Sequence, residues 1–196
     1  MNFFIIHEYQ EFFAVYSDGG SFDLCFRAGA DIDQQHRVQD QVALFLRQRV
    51  EGLFAPVVDD ETVAMVLLTG GLWFGADLTR ALARRGRHLR FDALWLASYG
   101  DEKTSRGQID VYAPFQRPIA GKRVLILDDV FDTGLSLAEA VRIVKEAGAS
   151  EVLTCVFARK PWPLPRAPEP DFVGWEAPNR FLVGYGLDHA GALRGL

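Results

Sequence analysis

Asp128, Asp129 and Asp132 fall within five positions, directly after the apolar run 124–127 and directly before Thr133-Gly134-Leu135-Ser136. Two adjacent carboxylates at a strand end can bind the vicinal hydroxyls of a sugar. They can also help hold a hard divalent cation through oxygen ligands or bound water. The segment that follows suits a phosphate. Gly134 lets backbone come close, Thr133 and Ser136 carry hydroxyl donors, and a helix start offers free amides at the positive end of its dipole. Helix capping alone accounts for one aspartate at such a junction, but three acids beside this loop favour a grip on a sugar phosphate. The loop is not a P-loop, since the lysine and the long glycine spacing are missing. A phosphatase built on Asp128 or Asp129 would want an acid two residues on, where Val130 and Phe131 stand.

Such a loop needs a strand before it and a helix after it, and the chain supplies both repeatedly. Run 63–68 is continuously apolar, as in a strand covered on both faces, and Thr69-Gly70-Gly71 breaks it. Residues 72–85 read as a helix up to Gly86, 90–99 as a strand, 100–107 as a polar glycine-bounded loop, and 108–112 as a returning strand. After 124–127 come a helix at 137–147 and a third apolar run at 152–158. Prolines crowd 161–170 and exclude regular structure there. Short strands are expected at 172–175 and 181–183. Upstream, 11–27 reads as a hairpin around Ser17-Asp18-Gly19-Gly20. Val38, Val42, Phe45, Leu46, Val50, Leu53 and Phe54 then mark one buried helix face. Alternating strands and helices predict an α/β fold: a mostly parallel, Rossmann-like central sheet flanked by helices, with a small hood. The expected organisation is a single domain over 1–196, with an N-terminal hairpin and helix (1–56), a core (57–158) and a hood with the C-terminal strand region (159–196). Ligands of such sheets bind outside the carboxyl ends of the strands, where Asp128 to Ser136 would lie.

Composition narrows the function classes. A chain of 196 residues buries one real core. Net charge is −5, which argues against a nucleic-acid partner, and Arg84-Arg85-Gly86-Arg87-His88 reads as a solvated helix end. No apolar run is long enough to span a bilayer, and the start has neither a basic stretch nor a cleavage site, so a cytoplasmic, membrane-free protein is expected. Cys25 and Cys155 have no metal-site spacing and read as reduced apolar fillers.

Residues 124–136 resemble the signature of the type I phosphoribosyltransferases. Asp132, together with Phe181-Leu182-Val183-Gly184-Tyr185-Gly186-Leu187-Asp188, is similar to the hypoxanthine-guanine branch. Lys160-Pro161, the proline-rich stretch and Asp171-Phe172-Val173-Gly174-Trp175 follow in that branch's order. The resemblance implies transfer of the 5-phosphoribosyl group of phosphoribosyl pyrophosphate to N9 of hypoxanthine or guanine. The products would be IMP or GMP and pyrophosphate, with Mg²⁺ as cofactor, in a homodimer or homotetramer. By the same resemblance Asp132 is the general base at N7, Asp128 and Asp129 bind the ribose, and Thr133, Gly134, Leu135 and Ser136 hold the 5′-phosphate. Lys160 donates to the 6-oxo group, Phe181 stacks on the base, and Leu182 offers its backbone to the base edge. Thr69, Gly70 and Arg194 bind pyrophosphate, Asp188 holds the metal with Asp128 and Asp129, and Ser98-Tyr99 opens a mobile flap.

The match has departures. Thr69 stands where the branch commonly places a lysine or arginine, Asp128 replaces a frequent glutamate, His189 replaces a tyrosine, and the hairpin at 11–27 has no counterpart. Two alternatives remain open at this level: a xanthine-preferring enzyme, and a non-catalytic sensor of phosphoribosyl pyrophosphate or nucleotide on the same fold.

Overall fold

The computed structural model describes residues 12–16, 22–26, 54, 57–98, 109–163, 166, 168–177, 182 and 184–195. The expected helix at 38–54, the flap at 99–107 and Phe181 lie outside these residues, apart from Phe54. The hairpin is present as β1 (Phe12–Tyr16) and β2 (Phe22–Phe26), paired antiparallel from Phe12↔Phe26 to Tyr16↔Phe22.

The rest builds on a six-stranded sheet. Its strands are β3 (Val63–Leu68), β4 (Arg90–Ser98), β5 (Ile109–Ala113), β6 (Arg123–Phe131), β7 (Glu151–Arg159) and β8 (Phe172–Glu176). They lie in the order β5-β4-β3-β6-β7-β8. All neighbours are parallel except β4 and β5, which form the antiparallel edge with a register shift between Trp95 and Leu96. The expected strand at 172–175 is therefore the last strand of the main sheet. Leu182 is not in a strand; the tail instead makes two isolated bridges, Gly184↔Leu187 and His189↔Ala192, where close glycines turn the chain back on itself.

Helix α1 (Leu72–Ala83) joins β3 to β4, and α2 (Leu135–Glu146) joins β6 to β7. Strand alternation sends every second residue to each face, so the strands feed two cores. Ala64, Val66, Leu125 and Leu127 pack with Phe74, Leu78, Ala81 and Leu82 of α1. Val63, Met65, Val124 and Ile126 pack with Leu137, Ala140 and Val144 of α2. Gly75 sits mid-helix at a cost of about 1 kcal/mol against alanine; a Cβ there would meet Val66 Cγ2 at 2.5 Å, so the glycine is what lets α1 close on β3. Among the described residues no helix is long and apolar enough to cross a membrane.

The chain leaves β3 toward β4 on one side, while β6 pairs on the other. The sheet's switch point is thus the β3–β6 seam, where open α/β sheets bind ligands.

Candidate active site

Strand β6 outlasts its partner at that seam. Pairing with β3 stops at Val66↔Leu127, while pairing with β7 continues through Asp128↔Val156 to Phe131↔Arg159. From Asp128 onward one side of β6 is open, and the β3–α1 turn fills it. A Cβ on Gly71 would stand 2.9 Å from the Leu127 carbonyl oxygen, and one on Gly70 would stand 2.0 Å from Asp129 Oδ2. The first clash is with backbone, so position 71 requires glycine; the second is with a carboxylate that would have to move aside. A cleft of about 430 Å³ opens here, lined by Thr69, Gly70, Asp128, Asp129, Asp132, Thr133, Gly134, Ser136, Asp188 and Arg194 among others.

The two adjacent acids are strained electrostatically. Burial, reinforced by the neighbouring Asp129 charge, pushes the Asp128 carboxyl well above the usual carboxylate range. Burial also raises Asp129, against the opposing pull of its hydrogen bonds and of Arg194. Asp128 Oδ1 accepts from the Asp129 amide at 3.0 Å, and Asp129 Oδ1 accepts from the Val130 amide at 2.9 Å. Those bonds fix the carboxylates without neutralising them. The donor set is hard oxygen, short of positive charge, and among the described residues no three ligating side chains form a metal cage. That fits Mg²⁺, which binds through one or two carboxylates, water and substrate oxygens. Asp128, Asp129 and Asp188 line the cleft as oxygen donors without converging into one ligand group.

Asp132 differs from its neighbours. Its carboxylate is 42% exposed, and Lys160 Nζ lies 3.3 Å from Oδ2. Lys160 stands just past β7, where its amide donates to the Phe131 carbonyl at 3.0 Å. Gly134 caps α2 in the left-handed region, φ 84°, and no side chain caps the helix start. Its amides are left to a ligand, apart from a 3.4 Å contact between the Leu135 amide and Thr133 Oγ1.

The tail arrives from the far end of the sequence. Gly186 (φ +99°) sits so close to Gly70 that a Cβ would stand 2.0 Å from its carbonyl oxygen. Tyr185 Oη donates to Asp77 Oδ2 at 2.9 Å, tying the tail to α1. Asp188 Oδ1 pairs with Arg194 Nη2 at 2.7 Å, its Oδ2 accepts from the Gly191 amide at 2.6 Å, and Arg194 also donates to the Gly186 carbonyl.

Residues 30–190 match the phosphoribosyl transferase domain family. The chain belongs to that family. This phosphoribosyltransferase is 28% identical to the hypoxanthine-guanine phosphoribosyltransferase of Bacillus subtilis over 166 residues, 85% of this chain and 91% of the relative. It is 37% identical to the Aquifex aeolicus protein of the same name over 130 residues, 66% of this chain and 71% of the relative. Its fold matches a hypoxanthine phosphoribosyltransferase from Staphylococcus aureus with a TM-score of 0.72, at 24% identity, over 81% of this chain and 84% of the other.

Of the residues singled out in the sequence, Thr69, Gly70, Asp128, Asp129, Asp132, Thr133, Gly134, Ser136, Asp188 and Arg194 share the cleft of the phosphoribosyltransferase. Lys160 joins them through Asp132. Leu135 is half exposed beside the cleft, and the Leu182 side chain is buried in the α1-side core, leaving only its backbone for a ligand. Ser98 ends β4; the role expected of Tyr99 falls outside the described residues. Two further participants carry no sequence signal. Trp95 of β4, an exposed aromatic, lines the cleft. Arg166, buried in the proline-rich segment, donates to the Asp132 carbonyl at 2.6 Å.

Proposed function

We propose that this chain transfers the 5-phosphoribosyl group of phosphoribosyl pyrophosphate to N9 of a 6-oxopurine, hypoxanthine or guanine, in purine salvage. IMP or GMP and pyrophosphate are the products. One observation carries the reading: three acids and an uncapped helix start on β6–α2 face Thr69-Gly70 and the Asp188–Arg194 pair across one cleft, in a member of a family whose relatives bear that name.

The parts divide the work by chemistry. The α2 start, with Thr133 and Ser136, fixes the 5′-phosphate through amides and hydroxyls, and Asp128 and Asp129 accept from the ribose hydroxyls. Held at both ends, the sugar presents C1′ to the base, which removes much of the entropy of the encounter. Thr69, Gly70 and Arg194 receive the pyrophosphate. Bound Mg²⁺ supplies positive charge to the oxygens that depart with it. The bond from C1′ to the pyrophosphate oxygen breaks as purine N9 attacks, and Asp132 takes the proton released from N7. Lys160 gives its ammonium to the 6-oxo group while it neighbours Asp132. A 6-amino purine offers no acceptor there and leaves a largely buried cation unpartnered, which selects against adenine. Phe181 stacks on the base, the Leu182 backbone meets its edge, and the flap from Ser98-Tyr99 excludes water. A single domain over 1–196, a dimeric or tetrameric assembly and a cytoplasmic location belong to the same proposal.

The test is nucleotide formation from hypoxanthine, guanine, xanthine and adenine with phosphoribosyl pyrophosphate and Mg²⁺. Product from the first two and not from adenine is expected. Product from xanthine in preference to both would move the substrate. No product from any base, with phosphoribosyl pyrophosphate still bound, would replace the enzyme reading with that of a sensor.

A further inference from the structure

Arg166 lies six residues after Lys160 in the proline-rich segment, and its side chain is 8% exposed. Nη1 donates to the carbonyls of Asp132 at 2.6 Å and Lys160 at 3.0 Å, with a longer contact to Phe131 at 3.4 Å. Its Cζ stands 4.2 Å from the Phe131 ring centroid. Nε is 3.5 Å from Glu169 Oε1 and has no hydrogen-bond partner among the described residues. Burying a guanidinium carries a desolvation cost that an apolar side chain of similar size would avoid. What the charge adds is one rigid, planar donor group spanning the ends of two strands. It touches the last carbonyl of β6, the next carbonyl in the loop, and the first carbonyl beyond β7. All three contacts come from Nη1; a lysine ammonium offers donors to such oxygens but has no planar group to lie on the Phe131 ring, which sets the orientation of that nitrogen.

We propose that Arg166 is a positioning residue for the transfer reaction. It fixes the backbones that carry the Asp132 carboxylate and the Lys160 ammonium relative to each other, so that both reach the purine at a set separation. The inference rests on the reading given above. Arg166 does not line the cleft and acts only through those two residues. Asp128 and Asp129 lie beyond its reach, whereas the α2 start abuts it, since a Cβ on Gly134 would stand 3.5 Å from Arg166 Cβ.

The experiment compares Arg166→Lys, Arg166→Met and Arg166→Ala with the unaltered chain. Turnover is expected to fall about 10- to 100-fold, the scale of a small misplacement of reacting groups, and the preference for hypoxanthine over adenine to narrow. Affinity for phosphoribosyl pyrophosphate should fall by much less than turnover, because Asp128 and Asp129 keep their anchors. Millimolar guanidinium should restore part of the turnover of Arg166→Ala, whose vacated space is lined by carbonyls, and not that of Arg166→Met, where the space is filled. Amide exchange over 131–134 should quicken in all three variants. Unaltered turnover and base preference in Arg166→Met would overturn the proposal. So would a loss that follows a general fall in Tm and that guanidinium does not reverse. If the unaltered chain makes no nucleotide from any base, the transfer reading itself fails. Exchange at these amides then decides the fastening separately, and unchanged rates would overturn it.

Discussion

Gly70→Ala perturbs the cleft through a single methyl group. A Cβ at that position would stand 2.0 Å from Asp129 Oδ2, 2.5 Å from Cγ and 2.8 Å from Oδ1. The nearest oxygen must retreat by roughly 1.5 Å to regain ordinary van der Waals distance. It cannot do so freely, because Oδ1 is anchored to the Val130 amide at 2.9 Å. Overpacking of this kind costs about 1–3 kcal/mol, and each kcal/mol lowers Tm by roughly 2–4 °C in a chain of this length. Displacing a ribose-binding carboxylate by more than an ångström should cost catalysis on the order of 10²-fold. The assay pairs calorimetric binding of phosphoribosyl pyrophosphate with kcat/KM and Tm, for Gly70→Ala, Asp129→Ala and the double variant. Removing the Asp129 carboxylate removes the collision, so Gly70→Ala should cost little further stability in the Asp129→Ala background. The reasoning is refuted if Gly70→Ala costs as much Tm with Asp129 truncated as with it present, or leaves both binding and Tm unchanged.

Asp132→Asn should lower kcat about 10²- to 10⁴-fold, the usual contribution of a positioned base, with phosphoribosyl pyrophosphate affinity retained; unchanged turnover would remove the proposed base. Lys160→Met should raise adenine use relative to hypoxanthine, read as the ratio of kcat/KM values, and an unmoved ratio would detach Lys160 from selectivity. Without Mg²⁺ and substrate, the raised pKa values of Asp128 and Asp129 mean that the folded chain binds more protons than the unfolded one between the ordinary carboxylate pKa and the raised ones. Stability therefore falls as pH rises through that window, and Asp128→Asn should flatten the slope and raise Tm at neutral pH while lowering activity. Chelating Mg²⁺ should abolish both turnover and tight binding of phosphoribosyl pyrophosphate, and affinity unmoved by chelation would detach Asp128, Asp129 and Asp188 from the metal.

Most of the sheet and the β6–α2 loop were legible because each depends on local signals. Runs 63–68 and 124–127 are apolar without interruption and 152–158 is broken only by Thr154, and they fall in the buried strands β3, β6 and β7. Strand β6 continues to Phe131, past the end of its apolar run, because β7 pairs with it through the carboxylates. No pattern of hydrophobicity could register that. The tail was legible as a motif and not as structure: Leu182 lies outside any strand, and the bridges at Gly184↔Leu187 and His189↔Ala192 are set by turns. Arg166 was invisible for a different reason. An arginine among prolines reads as solvated, and only the three-dimensional return of the loop to the ends of β6 and β7 buries it.

Charge carries the synthesis one step further. Among the described residues lining the cleft, Asp128, Asp129, Asp132 and Asp188 stand against Arg194, with Lys160 beside Asp132 at 3.3 Å. The proposed substrate is itself polyanionic, and two like charges 4 Å apart repel by about 4 kcal/mol at an effective dielectric near 20. A cleft of this composition would reject a phosphate ester unless its own charge were offset locally. Three features do so at separate points. The α2 start would meet the 5′-phosphate with amides, of which that of Leu135 has a 3.4 Å side-chain contact to Thr133 Oγ1. Asp188 is already paired, with Arg194 on one oxygen and the Gly191 amide on the other. Asp128 and Asp129, buried together and reluctant to remain doubly charged, gain most from hydroxyl donors and a divalent cation. In the proposed reaction those acids would become favourable once sugar hydroxyls and a metal arrive together. Under the proposed function, a site of this kind would favour the metal-bound sugar pyrophosphate over free phosphate.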